Sequence, residues 1–244
     1  MKIHPSAWIE EGARIGADVE IGPNVVIFKH VDIGDRTKIH AGAVIGGEPQ
    51  DLAFKSVESF VRIGSDCVIR EYVTINRGTK EGTSTVMGDG CYLMAYSHLA
   101  HNVVIGNRVI IANSVPLAGY VKAGDGVFFG GNAAVHQFVQ IGRLAMIAGL
   151  SAVAMDVPPF CSTRSATIST IAGLNIVGMK RAGISPGDRT AIRSAFKVLF
   201  CSGLNRSQAV DRMKAEFPTG PASELWQFVE KSERGICSFV GGVE

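Results

Sequence analysis

The chain has 244 residues, 46% of them apolar and 19% charged, which suits a sizeable core and argues against intrinsic disorder. Lys and Arg outnumber Asp and Glu by 24 to 22. A net charge of +2 excludes the dense phosphate-neutralising surface of a nonspecific nucleic-acid binder.

The opening Met1-Lys2-Ile3-His4-Pro5 has no apolar h-region, so no secretory signal is expected. No run approaches the roughly 20 apolar residues of a transmembrane segment. Cys67, Cys91, Cys161, Cys201 and Cys237 are widely spaced and form no CxxC pair, which predicts reduced thiols in a cytoplasmic protein. The 29 glycines against 9 prolines are the compositional oddity, and they point to many turns with permissive backbone.

A period of six organises residues 3 to 153. Ile3, Ile9, Ile15, Ile21, Ile27, Ile33, Ile39 and Ile45 form an unbroken apolar ladder, resumed in phase at Ile63, Ile69 and Ile75 and carried on to Val153. Of 26 in-phase positions 24 are apolar, the exceptions being Asp51 and Glu81, and no helical face has that spacing. Glycine often follows the ladder residue, and small or β-branched residues stand two places before it. This hexapeptide pattern predicts a mainly β chain, a parallel β-helix in which three six-residue units close one triangular coil of a prism. In proteins of this repeat class the coil is left-handed. The glycines are assigned to turns that other residues tolerate poorly.

The domain from 1 to 159 is then a left-handed parallel β-helix. Segments 47–61 and 76–85 break the phase and are predicted to protrude as loops, where binding residues concentrate. The ladder stops at Asp156-Val157-Pro158-Pro159, a strong breaker. Residues 160–244 form a C-terminal helical domain, with helices predicted at 188–202, 207–217 and 223–231. That part holds the basic excess.

An eighteen-residue coil stacks i, i+18 and i+36 roughly 4.8 Å apart. Leu99, Leu117 and Val135 form one inward stack, with His101, Gly119 and Gln137 beside it and His98 and His136 nearby. A histidine base next to an exposed glycine amide suits acyl transfer: the imidazole takes a hydroxyl proton and the amide holds the oxyanion. The same histidines could instead be solvated surface residues, or could ligate zinc between subunits as in the gamma-class carbonic anhydrases. No acidic partner stands at the matching corner to orient such ligands. Gly131 stacked on Gly149 either lines a narrow apolar channel or serves turns alone.

Ser97-His98-Leu99-Ala100-His101, Leu117-Ala118-Gly119, Ile69 to Thr79, Ala134-Val135-His136-Gln137-Phe138 and Gly173 to Arg181 occur in an order that resembles one family. It is the UDP-N-acetylglucosamine O-acyltransferases that open lipid A biosynthesis, and the resemblance covers nearly the whole chain. It implies transfer of an (R)-3-hydroxyacyl group from acyl carrier protein to the sugar 3-position, by a homotrimer with sites between prisms. By resemblance His101 is the general base and Gly119 the oxyanion amide. Asp51, His98, His136 and Gln137 contact sugar nucleotide or acyl amide; Asn175 and Arg181 contact nucleotide or phosphopantetheine; Gly149 limits acyl length, with Gly131 in the same groove. No metal or organic cofactor is implied, and acyl carrier protein with its phosphopantetheine arm is a co-substrate.

Five positions depart from the family pattern: Ala53, Asn76, Asn102, Tyr120 and Val177. Asn102 follows the base where Asp is frequent, so a backbone carbonyl or water is expected to orient the ring. Amide formation on a related UDP-amino sugar, including a 3-amino analogue, is the alternative reaction. A zinc-dependent hydratase and a non-catalytic scaffold are the remaining ones.

Overall fold

The computed structural model describes residues 1–164 and 169–240. The C-terminal domain's last four residues therefore lie outside the described residues. Three sheets of ten, eight and seven short strands form the three faces of a left-handed prism. Successive strands of a face are one coil apart and parallel, with Leu99 opposite Leu117 and Leu117 opposite Val135. Every ladder side chain from Ile21 onward that lies in a strand points inward, and Ile27, Ile45, Ile69, Leu99 and Leu117 are fully buried. The residues two places earlier, such as Val19, Val25, Val73 and Val115, fill the corners of the same core. Each hexapeptide thus buries two side chains and presents the rest outward.

Gly46, after Ile45, has a φ of 86° as a turn requires, but most glycines that follow the ladder serve a different purpose from the expected one. Gly16, Gly34, Gly64, Gly88, Gly106, Gly124 and Gly142 stack along the third face, and none has a positive φ. A Cβ on Gly106 would stand 2.9 Å from the Asp125 amide nitrogen, against the next coil. Close approach of neighbouring coils excludes a side chain there. The left-handed turn falls two residues later and is occupied mostly by other residues, among them Asp18, Arg36, Tyr72, Asn102, Tyr120 and Phe138.

Close approach also lets side chains cap the amide of the coil before. Asp35 Oδ1 accepts from Ala17 N at 2.8 Å, Asp89 Oδ1 from Ser65 N at 2.8 Å, and Asp125 Oδ1 from Asn107 N at 2.7 Å. Asn107 accepts likewise from Asp89 N at 2.9 Å. Gly106→Ala is expected to lower stability by about 1–3 kcal/mol, because the methyl overpacks this seam. A denaturation midpoint equal to that of the parent would contradict it.

The first loop leaves after the strand Val44–Gly47 and rejoins at Phe60–Ile63; the second joins Thr74–Asn76 to Ser84–Met87. Arg77 staples the first loop down. Its guanidinium donates to Val57 O at 2.5 Å, pairs with Glu48 at 3.2 Å and lies over the Phe54 ring. Asn76 adds a bond from Nδ2 to Glu48 O at 2.8 Å.

The breaker at 156–159 ends the sequence period but not the stacking. Gly142 N donates to Val157 O, Phe160 N to Arg143 O, and Cys161–Arg164 pairs with the strand Met146–Ile147 before Thr170–Leu174 returns antiparallel. Among the described residues four helices follow: α1 Ile176–Arg181, α2 Pro186–Cys201, α3 Arg206–Glu216 and α4 Ser223–Lys231. Ser185 caps α2, with Pro186 at its first position, and Asn205 and Gln208 form a reciprocal capping box on α3. Helix α1 was not among the predicted helices; at six residues it is too short to show a helical period. A second apolar core, including Phe160, Met179, Ile192 and Leu225, joins the helices to the prism end. Arg143 adds a bidentate bond to Glu224 at 2.6 and 2.9 Å. Fully buried Asp156 accepts from Gln140 N and Ser232 Oγ.

Candidate active site

His101 stands at the corner between the second and third faces, two places beyond Leu99. Its coil neighbour is Gly119, and the imidazole lies directly over that glycine. A Cβ at Gly119 would fall 2.6 Å from His101 Nε2 and closer still to Cε1. The Gly119 carbonyl accepts from Phe138 N at 3.0 Å. Its own N–H has no acceptor among the described residues, unlike the capped amides of the third-face corner. A bare donor thus lies beside the imidazole.

The other ring nitrogen is held by Asn102. His101 Nδ1 lies 3.2 Å from Asn102 Oδ1, which also accepts from Thr79 N at 3.0 Å and Thr79 Oγ1 at 2.9 Å. A backbone N–H can only donate, so the Asn102 atom facing it is the oxygen, and Nδ1 must carry the proton. Nε2 then keeps its lone pair over Gly119. The side chain of Asn102 does the orienting that was expected of a backbone carbonyl or water.

His98 is half-buried on the second face, with Nδ1 2.7 Å from Thr74 Oγ1. Burial pushes its imidazole below the usual histidine range, opposed by the hydrogen bond at Thr74. His136 and Gln137 are exposed one coil beyond Gly119. Arg234, from the segment after α4, donates to His136 Nδ1 at 2.8 Å and to Ala154 O at 2.6 Å. A guanidinium cannot accept, so this Nδ1 is unprotonated and its 3.0 Å approach to the Gln137 carbonyl is only a contact.

The remaining residues lie elsewhere. Asp51 is exposed in the first loop and accepts from Ala53 N at 2.9 Å. Gly131 and Gly149 stack at the corner between the first and second faces, where a Cβ on Gly149 would stand 3.1 Å from Gly131 O. Asn175 caps α1, accepting from Gly178 N at 2.9 Å and donating to Leu144 O at 2.8 Å. With Arg181 it lines a cavity of about 630 Å³ whose apolar wall includes Ile110, Phe128 and Met146 of the first face. The histidine–glycine corner and the cavity lined by Asn175 and Arg181 thus lie at different places on the prism. Thr79 and Arg234 belong to the surroundings of the histidines without any periodic signal: Thr79 bonds Tyr120 across 41 residues and Arg234 reaches His136 across 98. Among the described residues no three His, Cys, Asp or Glu side chains are grouped to hold a metal ion.

A left-handed β-helix carrying this histidine–glycine corner and a helical end defines a hexapeptide-repeat acyltransferase. The model for bacterial transferase hexapeptides matches residues 12–47 and 84–115. The model for domain 2 of UDP-N-acetylglucosamine O-acyltransferases matches 156–237. An acyl-[acyl-carrier-protein]–UDP-N-acetylglucosamine O-acyltransferase of Synechocystis is 48% identical over 208 residues, 85% of this chain and 75% of the relative. The relative from Anaeromyxobacter sp. strain K is 39% identical over 109 residues, 44% of this chain, and there the chain spans only 42% of the relative's length. The structure of the UDP-N-acetylglucosamine acyltransferase LpxA from Bacteroides fragilis superposes with a TM-score of 0.88 at 37% identity, over 96% of this chain and 99% of that one. The chain belongs to the UDP-N-acetylglucosamine O-acyltransferase family.

Proposed function

We propose that the chain moves an (R)-3-hydroxyacyl group from acyl carrier protein to the 3-hydroxyl of UDP-N-acetylglucosamine, the first step of lipid A biosynthesis. The observation that carries this reading is His101 Nε2, with its lone pair free, set over Gly119 beside an unengaged amide. Nε2 takes the proton of the sugar hydroxyl as that oxygen attacks the thioester carbonyl. The tetrahedral oxyanion is held by Gly119 N–H. On collapse the C–S bond breaks, and the imidazolium returns the proton to the departing phosphopantetheine sulfur.

His98, His136, Gln137 and Asp51 are assigned to sugar-nucleotide and acyl-amide contacts. Asn175 and Arg181 are assigned to nucleotide or phosphopantetheine contacts, and Gly131 and Gly149 to the acyl groove. The family resemblance implies a homotrimer with sites between neighbouring prisms, and the separation of these groups over different corners of one prism accords with that. No metal or organic cofactor enters the reaction. The basic excess of the helical domain suits an acidic carrier protein through steering of the encounter. The free thiols accord with a cytoplasmic location, and no helix among the described residues is long and apolar enough to cross a membrane.

The test is mass spectrometry of the product from purified chain, UDP-N-acetylglucosamine and a panel of 3-hydroxyacyl carrier proteins. An ester of the sugar nucleotide is expected. Amide product from a 3-amino analogue, with no ester from the parent sugar, would replace this reading with the alternative one.

A further inference from the structure

The base in this chain is followed by an uncharged residue, and what surrounds that residue is a directed chain of neutral hydrogen bonds. Thr79 Oγ1 donates to Asn102 Oδ1 at 2.9 Å. The Thr79 hydroxyl proton being committed there, the 2.9 Å contact between Thr79 Oγ1 and Tyr120 Oη requires Tyr120 to donate. Tyr120 is fixed on both sides: edge-on to the His101 ring at 5.3 Å between centroids, and stacked on Phe138 at 4.9 Å with an 8° angle. Asn102 is buried and takes its own backbone bond from N to Thr85 Oγ1 at 2.9 Å. Each member therefore has one donor or acceptor assignment compatible with the rest.

We propose that Thr79 and Tyr120 are positioning residues that hold Asn102 Oδ1, and through it the Nδ1–H form of His101, by the sequence Tyr120 Oη–H to Thr79 Oγ1–H to Asn102 Oδ1. This inference rests on His101 being the base. A freely rotating Asn102 could present its NH₂ to the ring, reverse the tautomer and place a proton on Nε2, which disarms the base. The bonds from Thr79 oppose that rotation: an amide NH₂ would meet the Thr79 N–H, which can only donate, and the hydroxyl would have to reverse its bond with Tyr120 in order to accept. The relay thus performs the orienting part of a carboxylate's work. It does not perform the electrostatic part, since among the described residues the side chain hydrogen-bonded to His101 is the uncharged Asn102. The three bonds share one oxygen and the one to His101 is the longest, 3.2 Å.

The experiment is a double-mutant cycle on the full chain with its acyl carrier protein and sugar-nucleotide substrates, recording kcat, KM and the pH profile of kcat/KM. Thr79→Val and Tyr120→Phe are each expected to lower kcat roughly tenfold, below the 10²–10⁴-fold loss on removing a base. The KM for the sugar nucleotide stays within about twofold of the parent's. Thr79→Ser, which keeps the hydroxyl, restores most of the loss. Asn102→Asp, which supplies the charge, moves the acid limb of the profile to higher pH by about one unit. In that background a carboxylate no longer needs turning, so Thr79→Val and Tyr120→Phe lose less than about twofold, a coupling that independent sites do not show. Wild-type kcat in both single variants, or equal losses with Asn102 and with Asp at 102, would overturn the relay. His101→Ala run alongside separates the two levels: full turnover in that variant sinks the base assignment and the relay with it, whereas its inactivity beside active Thr79→Val and Tyr120→Phe sinks the relay alone. Tyr120→Phe keeps the ring packed on Phe138, so the cycle survives even if Thr79→Val folds poorly.

Discussion

His101→Ala is expected to lower kcat by 10²–10⁴-fold while the fold and sugar-nucleotide binding persist. The size of the loss follows from what the residue does and does not support. Its ring is hydrogen-bonded to Asn102, packs edge-on against Tyr120 and rests on Gly119, outside the ladder core. Removing it leaves no cavity in that core, so the denaturation midpoint should move by little. The reaction, by contrast, loses the imidazole set over Gly119 to receive the hydroxyl proton. Turnover above about a tenth of the parent's, measured with saturating substrates, would remove His101 from the mechanism.

Gly119→Ala should be nearly as damaging, by about 10²-fold in kcat, for a reason peculiar to the corner. The added methyl would occupy the place of His101 Nε2, 2.6 Å away. Backbone strain is not the cause, because Gly119 is absent from the positive-φ positions. What yields is the imidazole, which must swing off the glycine and away from the amide. A displacement of the order of 1 Å at a reacting group costs about that factor. The contrast with Gly106→Ala is instructive. At Gly106 the obstructing atoms include the backbone of the next coil, Asp125 N and Gly124 C, beside the Asp125 carboxylate that caps the Asn107 amide, so the fold suffers; at Gly119 they belong to the His101 side chain alone, so chemistry suffers. Gly119→Ala with the parent's kcat would show that the ring's position over the glycine is unimportant.

The six-residue ladder made the prism readable because inward-pointing residues recur at a period that no helix matches. It also made the adjacency of His101 and Gly119 readable, since Leu99 and Leu117 pair as eighteen-residue arithmetic requires. The glycines were legible as positions but not as causes. Sequence alone cannot distinguish a glycine needed for a left-handed turn from one needed to let a neighbouring coil approach. Helix α1 escaped because its six residues are too few to show a helical period, although its cap, Asn175, is local. The breaker at 156–159 misled: local chain chemistry forecast an end, while Phe160 with φ of 64° simply formed another corner. Thr79 and Tyr120 were invisible as a pair, because a protruding loop carries one and the prism the other.

The left-handed corner residues bear on how such a chain can be altered. Asn102, Tyr120 and Phe138 are successive rungs of one edge, all with φ between 59° and 67°. The backbone cost of that conformation is about 1 kcal/mol or more for residues with a β-carbon, and less for asparagine. None of the three side chains belongs to the ladder core. A histidine, tyrosine or phenylalanine can replace another there without renegotiating the core, so selection can redesign the surroundings of the base one rung at a time while the prism stays unchanged.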